Sequence, residues 1–217
     1  MQEVKIHNYT CYIYGDLNKE NIIIQPIDDN DYSLLDKQIQ VSNTKDDYAL
    51  IAIKIENWND ELSPWYMKAV FGKNDFSGNA HILLEFIKDI LIKELDIELK
   101  KLYICGYSLA ALFALYSAYE CNIFDGVIAA SPSVWFENWD QYIKEKNIQT
   151  NHIYLSIGDK EENTKNPIMK TVGDRLRYQY EILDDKCHSI LEYNPGNHFV
   201  DSEIRIAKGI DWMLNNQ

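Results

Sequence analysis

Seven short apolar runs, at residues 10–14, 21–25, 48–56, 101–105, 126–130, 153–157 and 189–193, alternate along the chain with segments of helical periodicity. Several of them are apolar at successive positions, which suits strands buried on both faces. Between the runs, Leu83, Phe86, Ile87, Ile90 and Leu91 recur at three- and four-residue steps within 80–95, and 110–119 is apolar nearly all round, as a helix pressed against a sheet would be. Asn166-Pro167 supplies an N-cap and a first-turn proline for a helix carrying Ile168, Met169, Val172, Leu176 and Tyr180. Asp201 or Ser202 caps a last helix through Ile206, Ile210 and Met213. No repeat or Pro/Gly/Ser linker interrupts the pattern. The alternation predicts a single α/β domain over residues 1–217, with a mostly parallel central sheet covered by helices on both faces.

Charge narrows the partners. A formal net charge of −13 repels phosphate backbones and anionic lipid surfaces, so neither nucleic acid nor a membrane is expected as a partner; a homo-oligomer is compatible with everything in the sequence. Cys11, Cys105, Cys121 and Cys187 are far apart, with no CxxC pair and no histidine at zinc-finger spacing. They read as reduced thiols rather than as a metal site or disulfide framework. The first residues lack an apolar signal-peptide core, and no stretch reaches the roughly 20 apolar residues that span a bilayer. A cytoplasmic location is therefore expected, with no metal or organic cofactor.

The segment Leu102-Tyr103-Ile104-Cys105-Gly106-Tyr107-Ser108-Leu109-Ala110-Ala111 runs from a strand into a helix through Gly-x-Ser-x-Ala. A serine raised on a sharp strand-to-helix turn needs small residues two places before and after it, because strand and helix nearly touch there. Gly106 and Ala110 meet that requirement. The composition gives roughly half a Gly-x-Ser by chance, so the weight lies in the strand-turn-helix context. Without that context Ser108 would be an ordinary N-cap of the following helix.

A serine hydroxyl needs a base, and the base a group to orient it. In the α/β-hydrolases, whose nucleophile turn this segment resembles, the acid and then the histidine follow the serine in chain order. His198 lies in the turn-rich Asn194-Pro195-Gly196-Asn197-His198-Phe199, between the last strand and the last helix, at the strand ends where open α/β sheets place their sites. His188 falls at the entrance to an edge strand, and His7, His81 and His152 read as structural or exposed. The acid is expected after the 153–157 strand, where Gly158-Asp159-Lys160-Glu161-Glu162 offers three carboxylates; the resemblance favours Glu161, since in that fold the acid often lies three residues beyond the glycine that closes the strand, with Asp159 and Glu162 as alternatives. Oxyanion donors are expected from the backbone N–H of Leu109 and that of Asn57 or Trp58. Trp58, Trp65 and Trp135, with Tyr107 beside the serine, are candidates for a substrate pocket, and Trp139 falls on the same rim; aromatic residues there also serve simply to cover a sheet edge.

Together with Ser131-Pro132-Ser133-Val134-Trp135 and the segment from Asn57 through Trp65, these motifs resemble those of the α/β-hydrolase esterases grouped with esterase D, feruloyl esterases and enterochelin (trilactone siderophore) esterases. The resemblance spans residue 57 to the C-terminus. It implies the α/β-hydrolase fold and hydrolysis of a small carboxylic ester through an acyl-enzyme, with Ser108 matching the nucleophile and His198 the base. No insertion before His198 is large enough for a lid. Two alternatives remain: an acyltransferase using the same three residues, as in the related mycolyltransferases, and a non-catalytic ligand-binding protein on the same scaffold.

Overall fold

In the computed structural model, which describes residues 1–216, the apolar runs become strands of one eight-stranded sheet. The first half of the chain forms β1 (Gln2–Ile6), β2 (Tyr9–Tyr14), β3 (Asn21–Ile27), α1 (Asp29–Val41), β4 (Tyr48–Lys54) and the short α2 (Trp58–Glu61). A two-stranded ribbon, β5 (Tyr66–Met67) with β6 (Phe76–Ser77), leads to α3 (Ala80–Phe86) and α4 (Ile92–Glu94), joined by a π turn (Ile87–Leu91) that keeps Ile87 and Leu91 in the core. Then follow β7 (Lys101–Tyr107), α5 (Leu109–Glu120), β8 (Gly126–Ala130), α6 (Trp139–Glu145) and β9 (His152–Gly158). The chain ends with α7 (Val172–Asp184), β10 (His188–Asn194) and α8 (Ser202–Asn215).

The sheet order is β1-β2-β4-β3-β7-β8-β9-β10. β2 is antiparallel to both of its neighbours, and every other pairing is parallel. Successive side chains of the inner strands point to opposite faces and are buried on both. Ile22 and Ile24 enter the core that contains α3, α5, α6 and α7, whereas Ile23 enters the one that contains α1 and α8. Ile104, Val127 and Ile153 repeat the first alignment, and Tyr103, Ile128 and Tyr154 the second. Each such aliphatic side chain contributes about 1.5–3 kcal/mol on full burial, which is why these runs carry almost no polar residue.

Two helix starts differ from expectation. Asn166 Oδ1 accepts the N–H of Ile168 and of Met169, as an N-cap does, but the turn it closes is a 3-10 turn (Met169–Thr171) and α7 begins only at Val172. Asp201 stands at the N-cap of α8 with φ +54°, and its carboxylate makes no capping hydrogen bond.

From β3 the chain passes through α1 to β4 at one side, then returns over the opposite face through α3 to β7 at the other. Strand order thus reverses about β3. The crevice such a reversal opens lies at the carboxyl ends of the strands, where the loops after β4, β7, β8, β9 and β10 converge.

Candidate active site

β7 ends at Tyr107 and α5 starts at Leu109, leaving Ser108 alone in the turn with φ +57° and ψ −116°. A non-glycine residue so placed costs on the order of 1–3 kcal/mol and persists only where its surroundings hold it. Here the backbone is held on both sides: the Ser108 N–H donates to the Ala130 carbonyl at 3.1 Å, and the Ser133 N–H donates to the Ser108 carbonyl at 3.1 Å. A Cβ at Gly106 would lie 2.4 Å from the Ala110 carbonyl carbon and 2.8 Å from its Cβ, so strand and helix could not approach as they do with any larger residue. The Ser108 hydroxyl makes no helix-capping bond and is left for another partner.

That partner is His198. Its Nε2 lies 3.0 Å from Ser108 Oγ, and its Nδ1 lies 2.8 Å from Glu161 Oε2. An ionised carboxylate can only accept, so Nδ1 carries the ring proton and Nε2 accepts from the serine hydroxyl. Ser133 Oγ, 3.3 Å from Ser108 Oγ, is then the donor in that contact. The Glu161 side chain is 2% exposed and that of His198 22%, which makes the carboxylate dry and the imidazole reachable. Burial pushes the Glu161 carboxyl up, but the hydrogen bond and charge of His198, with donors from Ser131 and Gly158, outweigh it and hold the group below the usual carboxylate range.

Glu161 Oε1 receives the Ser131 hydroxyl at 2.6 Å, the Gly158 N–H at 2.8 Å and the Arg205 guanidinium at 2.7 Å. Neither Arg205 nor Ser131 is among the candidates read from the sequence. A signal for Arg205 does exist: it occupies the buried stripe of α8 with Ile206, Gly209, Ile210 and Met213, where a solvated arginine has no place. Tyr107, which lines a hollow beside Ser108, also has a second role. Its hydroxyl donates to the His198 carbonyl at 2.8 Å, and burial, then the charge of Glu161, push its pKa up to about 12, so it stays a neutral donor.

Other candidates lie elsewhere. Asp159 accepts the Gly196 N–H, and Glu162 pairs with Arg177 at 2.8 Å, so neither contacts the imidazole. The Asn57 N–H is taken by Glu61 Oε1 at 2.9 Å and is not an open donor. The Trp58 N–H, first in α2, and the Leu109 N–H, first in α5, stand outside their helices' hydrogen-bond ladders. Trp65 turns away from the serine: it donates to the Glu137 carbonyl and packs with Phe136, Trp139 and Tyr142. Trp139 is fully buried with its N–H on Gln179. His152 and His188 form an edge-to-face pair at the opposite, amino-terminal ends of β9 and β10.

Ser108 and His198 form the wall between two hollows. One, of about 460 Å³, is lined by aromatic and apolar groups including Trp58, Phe71, Phe76, Trp135 and Phe199. The other, of about 490 Å³, is lined by Asp28, Asn30, Asp31, Tyr107 and Ser202. Within the acidic hollow, burial and then the neighbouring Asp28 carboxylate push the Asp31 pKa up to about 7 from 3.8. A carboxyl raised in this way binds its proton more tightly folded than unfolded, so stability falls as pH rises from about 4 to about 7. Asp31→Asn removes that penalty: thermal melts at pH 8 should show a gain of at most about 4 kcal/mol, the ceiling set by about three pKa units, shrinking to nothing at pH 4. Equal melting of the two proteins at pH 8 would contradict the burial of this charge. Among the described residues no cluster of His, Cys, Asp and Glu is arranged to hold a metal, and no helix is long and apolar enough to cross a membrane.

No family model and no curated protein matches the sequence. Solved structures do. The chain is similar to an IroE-like serine hydrolase from Shewanella oneidensis, with a TM-score of 0.80 at 13% identity over 99% of this chain and 80% of the other. The siderophore hydrolase EstA from Aspergillus nidulans aligns with a TM-score of 0.73 and 16% identity, over 99% of this chain and 93% of EstA. The enterobactin esterase FES from Shigella flexneri gives a TM-score of 0.68 and 15% identity over 99% of this chain, which spans only 59% of that protein. The chain has the α/β-hydrolase fold, as expected, and no large lid is inserted among the described residues.

Proposed function

We propose that this protein is a serine esterase that cleaves a small carboxylic ester through an acyl-enzyme, with Ser108 as nucleophile, His198 as general base and acid, and Glu161 as the carboxylate that orients it. The observation that carries the proposal is the Ser108–His198–Glu161 relay, at 3.0 and 2.8 Å, rising from a turn at φ +57° onto the wall of an apolar hollow. The hydrolase and esterase names of the similar structures support the reaction class.

In the first step Ser108 Oγ attacks the ester carbonyl as its proton passes to His198 Nε2, and Glu161 stabilises the imidazolium that forms. The N–H groups of Leu109 and Trp58, both bordering the apolar hollow, are assigned to the developing oxyanion; one such donor is worth about 10²–10³ in turnover. The imidazolium then protonates the departing alcohol. Water, deprotonated by the same ring, releases the acid. A cytoplasmic location, also proposed, fits the four free thiols of Cys11, Cys105, Cys121 and Cys187.

A fluorophosphonate probe tests this with no knowledge of the substrate. The expected result is one phosphonyl adduct per chain, located on Ser108 by peptide mass spectrometry. A folded protein that stays unlabelled, or carries the adduct elsewhere, would overturn the proposal.

A further inference from the structure

The serine, the imidazole and the carboxylate arrive on three separate loops, of which those after β9 and β10 are joined by backbone bonds from Asp159 to Asn194 and from Lys160 to Gly196. A fourth group ties the loops together. The Arg205 side chain, on α8, is 1% exposed. Its Nη1 reaches Glu161 Oε1 at 2.7 Å, Ser131 Oγ at 3.0 Å and the Tyr107 hydroxyl at 3.0 Å. Its Nη2 donates to the carbonyls of Asn197 at 2.9 Å and Pro195 at 3.2 Å. Those carbonyls belong to the loop that carries His198, and the Tyr107 hydroxyl bonds the His198 carbonyl in turn.

Room for the guanidinium depends on a glycine. A Cβ at Gly158 would stand 2.8 Å from Arg205 Nη2 and 2.4 Å from the Gly196 carbonyl oxygen. The guanidinium also completes a set. With Ser131 Oγ and the Gly158 N–H it makes three donors on Glu161 Oε1, so Oε2 is the oxygen left to face the imidazole. Arg205 borders neither hollow beside Ser108.

We propose that Arg205 is a positioning residue for the relay: one arm of its guanidinium fixes which Glu161 oxygen meets His198, and the other fixes the loop that aims the ring. This rests on the ester-hydrolysis proposal above. Because Arg205 meets no substrate, its loss should lower kcat and leave KM alone. Displacing a reacting group by about 1 Å can cost on the order of 10²-fold.

The test measures 4-nitrophenyl acetate turnover, together with the low-field proton resonance of His198 Nδ1–H in the resting protein. Arg205→Met is expected to lower kcat about 10²-fold with KM within about threefold of wild type, and to abolish the low-field signal through exchange with water. If Arg205 acts through Glu161, adding Arg205→Met to Glu161→Gln should cost less than about threefold more. This double variant also removes both buried charges, which favours its folding. Wild-type kcat with an intact signal in Arg205→Met overturns the proposal, as does a second full loss in the Glu161→Gln background, the mark of a merely structural role. Should Arg205→Met not fold, Arg205→Lys, which keeps the charge and loses the second arm, decides: about tenfold lower kcat supports the proposal, and wild-type kcat overturns it. A wild-type protein inert to both the ester and the fluorophosphonate would sink the esterase proposal instead. The low-field signal, read without substrate, would still report on Arg205.

Discussion

Replacing Ser108 with Ala is expected to lower ester turnover by about 10⁶, the scale of loss when a serine nucleophile is deleted from an intact relay. Folding should survive. The bonds that hold the turn run from the Ser108 N–H to Ala130 and from Ser133 to the Ser108 carbonyl, and neither uses the side chain. Alanine suffers the same backbone strain as serine, so stability should change by no more than about 1 kcal/mol. Residual rates should still exceed those in water, since the oxyanion donors and the binding hollows remain. The kinetic assay and a thermal melt on the same preparation check both halves. An active Ser108→Ala protein would remove the serine from the chemistry altogether.

Glu161→Gln is expected to cost about 10⁴ in kcat, for a reason the geometry makes specific. Three donors, from Ser131, Gly158 and Arg205, converge on Oε1, so the amide oxygen of a glutamine must occupy that position. Its NH2 then replaces Oε2 and faces His198 Nδ1, which can only accept from it. The ring proton moves to Nε2, where it points at Ser108 and can no longer take the serine proton. Glu161→Ala lacks the amide that enforces this inversion and should keep more activity per folded molecule. Stability should fall in the glutamine variant too, since Arg205 keeps its hydrogen bonds but loses its buried counter-charge. Outright removal of a buried partner costs about 3–5 kcal/mol, so the loss in Tm should be clear but smaller than that range implies. Turnover of Glu161→Gln within tenfold of wild type would contradict the donor count at Oε1.

The inner strands are legible because burial on both faces leaves little room for polar residues, and β3, β4, β7, β8 and β9 are apolar at most positions, Gln25 and Ser156 being buried exceptions. β1 lacks it: Glu3 and Lys5 alternate with Val4 and Ile6 on an edge strand that is largely exposed. α1 is similarly hidden, since only Leu35 and Gln38 are buried and Gln38 spends its amide on Gln25 of β3 rather than on an apolar stripe. At the site, Ser108 and His198 sit in local contexts that show what they require: a small-residue turn for one, a turn-rich loop at a strand end for the other. In the structure the two meet at 3.0 Å. Glu161 differs from Asp159 and Glu162 in side-chain direction: it contacts His198 Nδ1, whereas Asp159 accepts the Gly196 N–H and Glu162 pairs with Arg177. Arg205 and the engaged Asn57 amide depend on contacts between distant segments and on one local side chain that bends back. No periodicity reports either.

With a hollow on either side of Ser108, an ester whose acyl group takes the aromatic one places its alcohol in the acidic one. Once that alcohol departs, with the acyl group still on the aromatic side, the vacated hollow leads past Asp28, Asn30 and Asp31 to the bound carbonyl. The acidic groups lining it repel anionic acceptors and do not exclude water. The competition between water and rival alcohols for the acyl group is thus refereed at that threshold, and altering its charge should redirect the outcome while the relay stays untouched.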